Sequence, residues 1–172
     1  MHCTTKLFIN PMKKFTILSL FAACVLFGFN ANAQESGDMM VHGGVGIATG
    51  PYGGDEGVTG FGAGFEYVFA DAMSGSVEYM SYSKDSFTSS LIGIDYKYYF
   101  MTDDFKAYGK AGLSLLGGDA PSTTGVNLGV GGIYGISDNL GLGAGVDYNL
   151  TKPDGADDPF GLIIRLGVSY MF

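Results

Sequence analysis

Residues 140–151 read Leu140-Gly141-Leu142-Gly143-Ala144-Gly145-Val146-Asp147-Tyr148-Asn149-Leu150-Thr151. One rule sorts them all. Leu140, Leu142, Ala144, Val146, Tyr148 and Leu150 fall on one face of an extended chain, while the glycines, Asp147, Asn149 and Thr151 fall on the other. A strand sends successive side chains to opposite faces, whereas a helical period of 3.6 would mix the two sets. The end of the chain repeats the pattern. Phe160, Leu162, Ile164, Leu166, Val168, Tyr170 and Phe172 alternate with residues that include Gly161, Arg165, Gly167 and Ser169.

Extended outward, the same rule predicts strands near residues 39–49, 58–69, 74–83, 88–100, 105–116, 124–137, 140–151 and 160–172. Soluble domains usually use strands of about five or six residues. These are about ten to thirteen long, and a bilayer crossed by tilted strands needs about 9–11. The connections alternate as well. Ala70-Asp71-Ala72, Met101 to Asp104 and Ser137-Asp138-Asn139 are tight turns, and between them lie Gly50–Gly57, Lys84–Phe87, Gly117–Thr123 and Lys152–Pro159. Tight turns at one end and longer loops at the other define an up-and-down barrel with an even number of strands. The expected fold is all-β: an eight-stranded antiparallel transmembrane barrel over residues 39–172, its termini and tight turns in the periplasm and its longer loops outside the cell.

The composition agrees. The 172 residues hold 17 acids and 9 bases, a formal net charge of −8, which argues against a nucleic-acid partner. The 29 glycines argue against a helical bundle, and the 47% hydrophobic content argues against disorder. The start of the chain reads as a targeting segment. Met12-Lys13-Lys14 is a basic opening, Phe15–Phe29 is mostly apolar, and Ala31-Asn32-Ala33 is a small-x-small cleavage pattern. Residues 1–33 are therefore expected to be removed, with 1–11 upstream of a true start at Met12 and 34–38 a short periplasmic N-terminus. Both cysteines, Cys3 and Cys24, would leave with the leader, and thiol chemistry with them. Lys6, Lys13 and Lys14 would also leave, so the mature chain is more acidic still.

Parity assigns every strand residue to a face. One face carries Val41, Val45, Ile47, Phe61, Phe65, Tyr67, Phe69, Val77, Tyr79, Ile92, Ile94, Tyr96, Leu113, Leu115, Val126, Leu128 and Val130, with no charge among them. Aromatic residues gather toward one rim: Tyr98, Phe100, Phe105, Tyr134, Tyr170 and Phe172 join Tyr67 and Phe69. This is the lipid face, flanked by the aromatic belt that suits a lipid–water boundary. The opposite face holds His42, Glu66, Glu78, Asp95, Lys97, Lys106, Lys110, Asp147 and Arg165 among many glycines. That face is nearly all charge and glycine, a poor core for a soluble calycin-like barrel, which would place its apolar side chains inside.

An isolated buried ion is prohibitive, so Glu66, Glu78, Asp95 and Asp147 are expected to pair with Lys97, Lys106, Lys110 and Arg165. Arg165, with its planar fork, is the candidate hub. Asn149, also inward, is expected to accept an arginine far better than Leu142 or Ile164 would. Other chemistry finds little support. His42 has no nucleophile motif beside it, and a single histidine without cysteine cannot build a histidine-rich metal site. Gly43-Gly44-Val45-Gly46 and Gly60–Gly64 lie within strands, without a helix N-terminus to face a phosphate. The loop acids Asp55, Glu56, Asp154, Asp157 and Asp158 lack calcium-loop spacing and read as solvated. No cofactor is expected.

Val168-Ser169-Tyr170-Met171-Phe172 resembles the C-terminal signature of bacterial outer-membrane barrels. Across residues 39–172 the chain resembles small barrels of the OmpA-transmembrane/OmpX type, within the broad porin-like outer-membrane β-barrel families of Gram-negative bacteria. The resemblance implies an outer-membrane location, lipid as the surrounding partner, and recognition of Val168, Tyr170 and Phe172 by barrel-assembly machinery. The reading that follows is a non-enzymatic barrel with a structural or surface-interaction role and an unidentified extracellular partner. A narrow pore or small-solute transporter is the alternative, and a lipid-modifying enzyme the third.

Overall fold

The computed structural model describes residues 36–50, 54–84, 87–102, 105–119, 122–150 and 161–172. These all belong to the unit Ala31–Phe172. The leader and its cleavage site lie outside the described residues, as do the loop 151–160 and the side chains of Asp55 and Glu56. The elements are β1 (Met39–Gly50), β2 (Gly54–Ala70), β3 (Met73–Lys84), β4 (Phe87–Thr102), β5 (Phe105–Gly118), β6 (Thr123–Gly135), β7 (Leu140–Asn149) and β8 (Gly161–Met171). Each strand pairs antiparallel with its neighbours in the chain, and β1 pairs with β8, so the sheet closes into a barrel. The closing ladder runs from Met40↔Met171 to Ala48↔Ile163. Beyond it, Phe172 N donates to Met39 O at 2.9 Å and Met39 N donates back at 3.3 Å.

The strands end where turn chemistry takes over. The amides of Ile136 and Ser137 both donate to Leu140 O, at 2.8 and 3.1 Å, closing the Ser137-Asp138-Asn139 turn. That claims the partners the ladder would need, so β6 stops at Gly135 and not at 137. β2 instead begins earlier than the alternation indicates, at Gly54. Between β2 and β3, Ala72 takes φ of 61°, and its carbonyl accepts from Tyr99 N at 2.8 Å.

The two faces separate as parity requires. Phe61 and Leu113 are 68% and 65% exposed on the outside, whereas Glu66 and Lys97 are 0% and 2% exposed inside. A soluble barrel would have the reverse. One expectation is corrected, however. The lumen face is not only charge and glycine: Ala48, Val58, Met80, Tyr82, Leu91, Leu116 and Ile163 form an apolar cluster inside the barrel toward the loop-bearing rim. Parity places them there as surely as it places Glu78 or Arg165, since Met80 follows Glu78 by two and Ile163 precedes Arg165 by two.

Eight strands leave an interior just wide enough for side chains to fill. The register shows how they fit. Tyr82 lies opposite Gly60 and Met80 opposite Gly62; His42 pairs with Gly64, Asp95 with Gly112, Tyr108 with Gly131 and Arg165 with Gly145. A Cβ at Gly129 would stand 3.0 Å from Lys110 Cε, and one at Gly60 would stand 2.9 Å from Tyr82 Cε1 and closer still to Tyr82 Cδ1. Large inward side chains therefore lie across glycines of the neighbouring strand, where there is room for them.

Candidate functional site

The middle of the lumen is an ion-paired layer centred on Glu78 of β3. Its Oε1 lies 3.1 Å from Lys97 Nζ and 3.3 Å from His42 Nε2. Its Oε2 lies 2.9 Å from Lys110 Nζ and also accepts from Arg165 Nη1. Side chains from β1, β4, β5 and β8 thus converge on one carboxylate from β3. Lys110 reaches on to Asp95 Oδ2 at 3.1 Å and Asp147 Oδ1 at 3.2 Å, and Arg165 Nη2 pairs with Asp147 Oδ2. Arg165 holds two carboxylates, as its planar fork allows, but the residue with the most partners is Glu78 and not Arg165.

A second carboxylate extends the layer toward the terminus-side rim. Glu66 Oε2 accepts from Lys97 Nζ at 2.8 Å. Its Oε1 accepts from Tyr99 Oη at 2.6 Å and from Ser74 Oγ at 2.5 Å. Lys97 Nζ also stands 5.1 Å from the centre of the Tyr108 ring, which packs at 5.4 Å against Tyr99. Sequence reasoning passed over Tyr99 and Tyr108, although they share parity with Lys97 and Lys110. A buried carboxylate accepting several charge-assisted bonds is far better solvated by protein than one with a single partner.

One expectation fails here. Lys106 shares the face of the pairing bases, yet its Nζ contacts Met171 Sδ at 3.7 Å and forms no salt bridge among the described residues, although Asp38 and Glu66 act on its charge. The reason is height: Lys106 lies four residues from Lys110 along β5, roughly 13 Å at the rise of a strand, so it sits at the rim while the acids gather in the middle. Asn149 points inward as parity requires; it is fully buried, accepts from Ser114 Oγ at 3.3 Å and borders the small space beside the apolar cluster.

Along the axis, a cavity of about 390 Å³ opens at the terminus-side rim around Lys106 and Met171. A smaller one of about 80 Å³ lies further in, lined by His42, Glu78, Tyr108 and Arg165 among glycines. Beyond the ion-paired layer a space of about 20 Å³ touches Asp147, Asn127 and Tyr82. Then comes the apolar cluster. Among the described residues, no set of three or more histidine, cysteine or carboxylate side chains is arranged to hold a metal ion.

The family described as the outer membrane protein β-barrel domain matches residues 19–172. The chain belongs to this family. Membership places it in the outer membrane of a Gram-negative bacterium, with the apolar face toward lipid. No curated protein matches the sequence. Solved structures of outer-membrane barrels resemble it in fold. The N-terminal β-barrel domain of Pseudomonas aeruginosa OprF superposes with a TM-score of 0.64 at 19% identity, over 81% of this chain and 100% of that one. Neisserial surface protein A gives 0.64 at 22% identity, over 80% and 98%. OprG, also from Pseudomonas aeruginosa, gives 0.64 at 14% identity, over 83% and 99%. At such identities an outer membrane barrel shares its architecture with these proteins, and its lumen residues must be read on their own.

Proposed function

We propose that this outer-membrane barrel is a closed, non-catalytic body that serves the envelope by its structure and by surface contact at its loop rim. It is not a conduit. The observation behind this reading is the convergence of His42, Lys97, Lys110 and Arg165 on Glu78 beneath the apolar cluster. A hydrated ion crossing the barrel would have to displace salt bridges and then enter a dry apolar tier. Each step carries a desolvation cost that water alone does not repay.

The polar lumen and the two terminus-side cavities are what favour a narrow pore, but the inner of the two ends against Glu78, Lys97 and Arg165 of the ion-paired layer. Reconstitution into planar bilayers separates the readings. The closed barrel gives no steady steps of current, and sustained ion-selective conductance would replace this proposal with the pore. A deletion strain tests the positive half: increased envelope permeability or loss of a surface-binding partner is expected. Lipid A alterations that disappear with His42→Ala would instead make the protein an enzyme.

A further inference from the structure

We infer that the terminus-side mouth of the barrel is a binding site for a small organic monocarboxylate, with Lys106 as its cation. Four observations carry this. The mouth encloses about 390 Å³, within the range of about 300–1,000 Å³ typical of small-ligand sites. Lys106 lines it half-buried; Asp38 and Glu66 act on its charge, but no salt bridge forms to it among the described residues, whereas Lys97, Lys110 and Arg165 each hold two or more carboxylates. Met40, Ile133 and Met171 give it an apolar patch within a lining that also carries Ser137, Asp138, Asn139 and Ser169. Finally, this mouth and the inner cavity share Ile133 and Ser169, and the inner cavity ends on Glu78 and Arg165. The site is blind. A ligand enters and leaves by the rim the termini occupy.

The chemistry selects among anions. A partly desolvated ammonium attracts one negative charge more strongly than the same group does in bulk water. A single lysine, with no arginine fork and no helix N-terminus beside it, matches a monoanion better than a phosphate dianion. Asp138, exposed on the turn at the outer edge of the mouth, and the Asp38 and Glu66 carboxylates that act on Lys106 all disfavour a second negative charge further. The methionine and isoleucine walls suit a short alkyl body, because the thioether side chains adapt to irregular shapes.

The test uses protein carrying ¹³C-methyl methionine in lipid nanodiscs, titrated with sodium butyrate. The Met40 and Met171 methyl signals should shift saturably while Met80, in the apolar cluster beyond the ion-paired layer, stays still. Lys106→Gln should weaken binding tenfold or more with an unchanged Met80 signal, showing that the barrel is intact, and Lys106→Arg should retain binding. Butylammonium chloride should shift nothing. The inference is overturned if butyrate gives no saturable shift, if Lys106→Gln binds as well as the parent, or if Met80 shifts equally. Tighter binding of inorganic phosphate than of butyrate would overturn the choice of ligand class.

Discussion

Lys97 and Lys110 stand directly opposite one another in the β4–β5 ladder, both pointing into the lumen. Like charges in that relation destabilise a sheet. Here Glu78 lies between them, 3.1 Å from one ammonium and 2.9 Å from the other, and turns a repulsive pair into a bridged triad. Glu78→Gln keeps the shape and removes the charge. The expected loss of folding stability is about 3–5 kcal/mol, as for breaking a buried ion pair. Urea unfolding in lipid vesicles measures it, and a loss below about 1 kcal/mol would show that water, and not Glu78, screens the lysines.

Arg165→Ala should cost less than Glu78→Gln. Glu78 would retain His42, Lys97 and Lys110, and Asp147 would retain Lys110. The Arg165 side chain is also 18% exposed, more than either lysine, so water can enter its place. About 3 kcal/mol is expected, the lower end for a buried pair. Arg165→Lys should restore only part of it, since an ammonium cannot hold Glu78 and Asp147 in the same fork.

The closing seam admits a sharper comparison between adjacent glycines. A Cβ on Gly44 would stand 2.7 Å from Gly167 Cα and closer still to Leu166 O, both backbone atoms of β8. A Cβ on Gly43 meets nothing nearer than Gly62 O at 3.6 Å. Gly44→Ala should therefore lower stability by about 1–3 kcal/mol through overpacking, while Gly43→Ala should be near neutral. Parallel unfolding curves of the two variants check this.

On the outer face the cost of charge should follow depth. Leu166 is 60% exposed near the height of the ion-paired layer, and Tyr134 is 57% exposed at the terminus-side rim. Leu166→Arg is expected to cost about 2–4 kcal/mol and Tyr134→Arg about 0–1 kcal/mol, the midplane and interfacial values for outer-membrane barrels. Equal costs in the same lipid would contradict the transmembrane placement of the band.

Removal of Phe172 should lower the yield of heat-modifiable, folded barrel in cells. The residue exchanges two backbone hydrogen bonds with Met39 at the closing seam, and its ring stacks at 6.4 Å from that of Tyr170. Refolding of the purified variant in vesicles separates the two contributions. Normal refolding with poor assembly in cells would assign the loss to recognition by the assembly machinery.

The sequence by itself determined the strands, the closure and the direction of almost every side chain. The reason is that a strand has a period of two: once Leu142 faces out, Asp147 must face in, whatever the rest of the chain does. It also determined that Glu78 and Arg165 share the lumen. What it left open was height and distance. Which inward residues meet depends on the stagger between strands, a property of the closed sheet that no single segment contains. Only the tertiary structure decided that Glu78 gathers four partners, that Lys106 lies at the rim outside the ion-paired layer, and that Asn149 is buried against Ser114. It decided likewise that Met80, Tyr82, Leu91 and Ile163 meet as a dry tier, because residues from β3, β4 and β8 reach a common level only after β1 and β8 have joined.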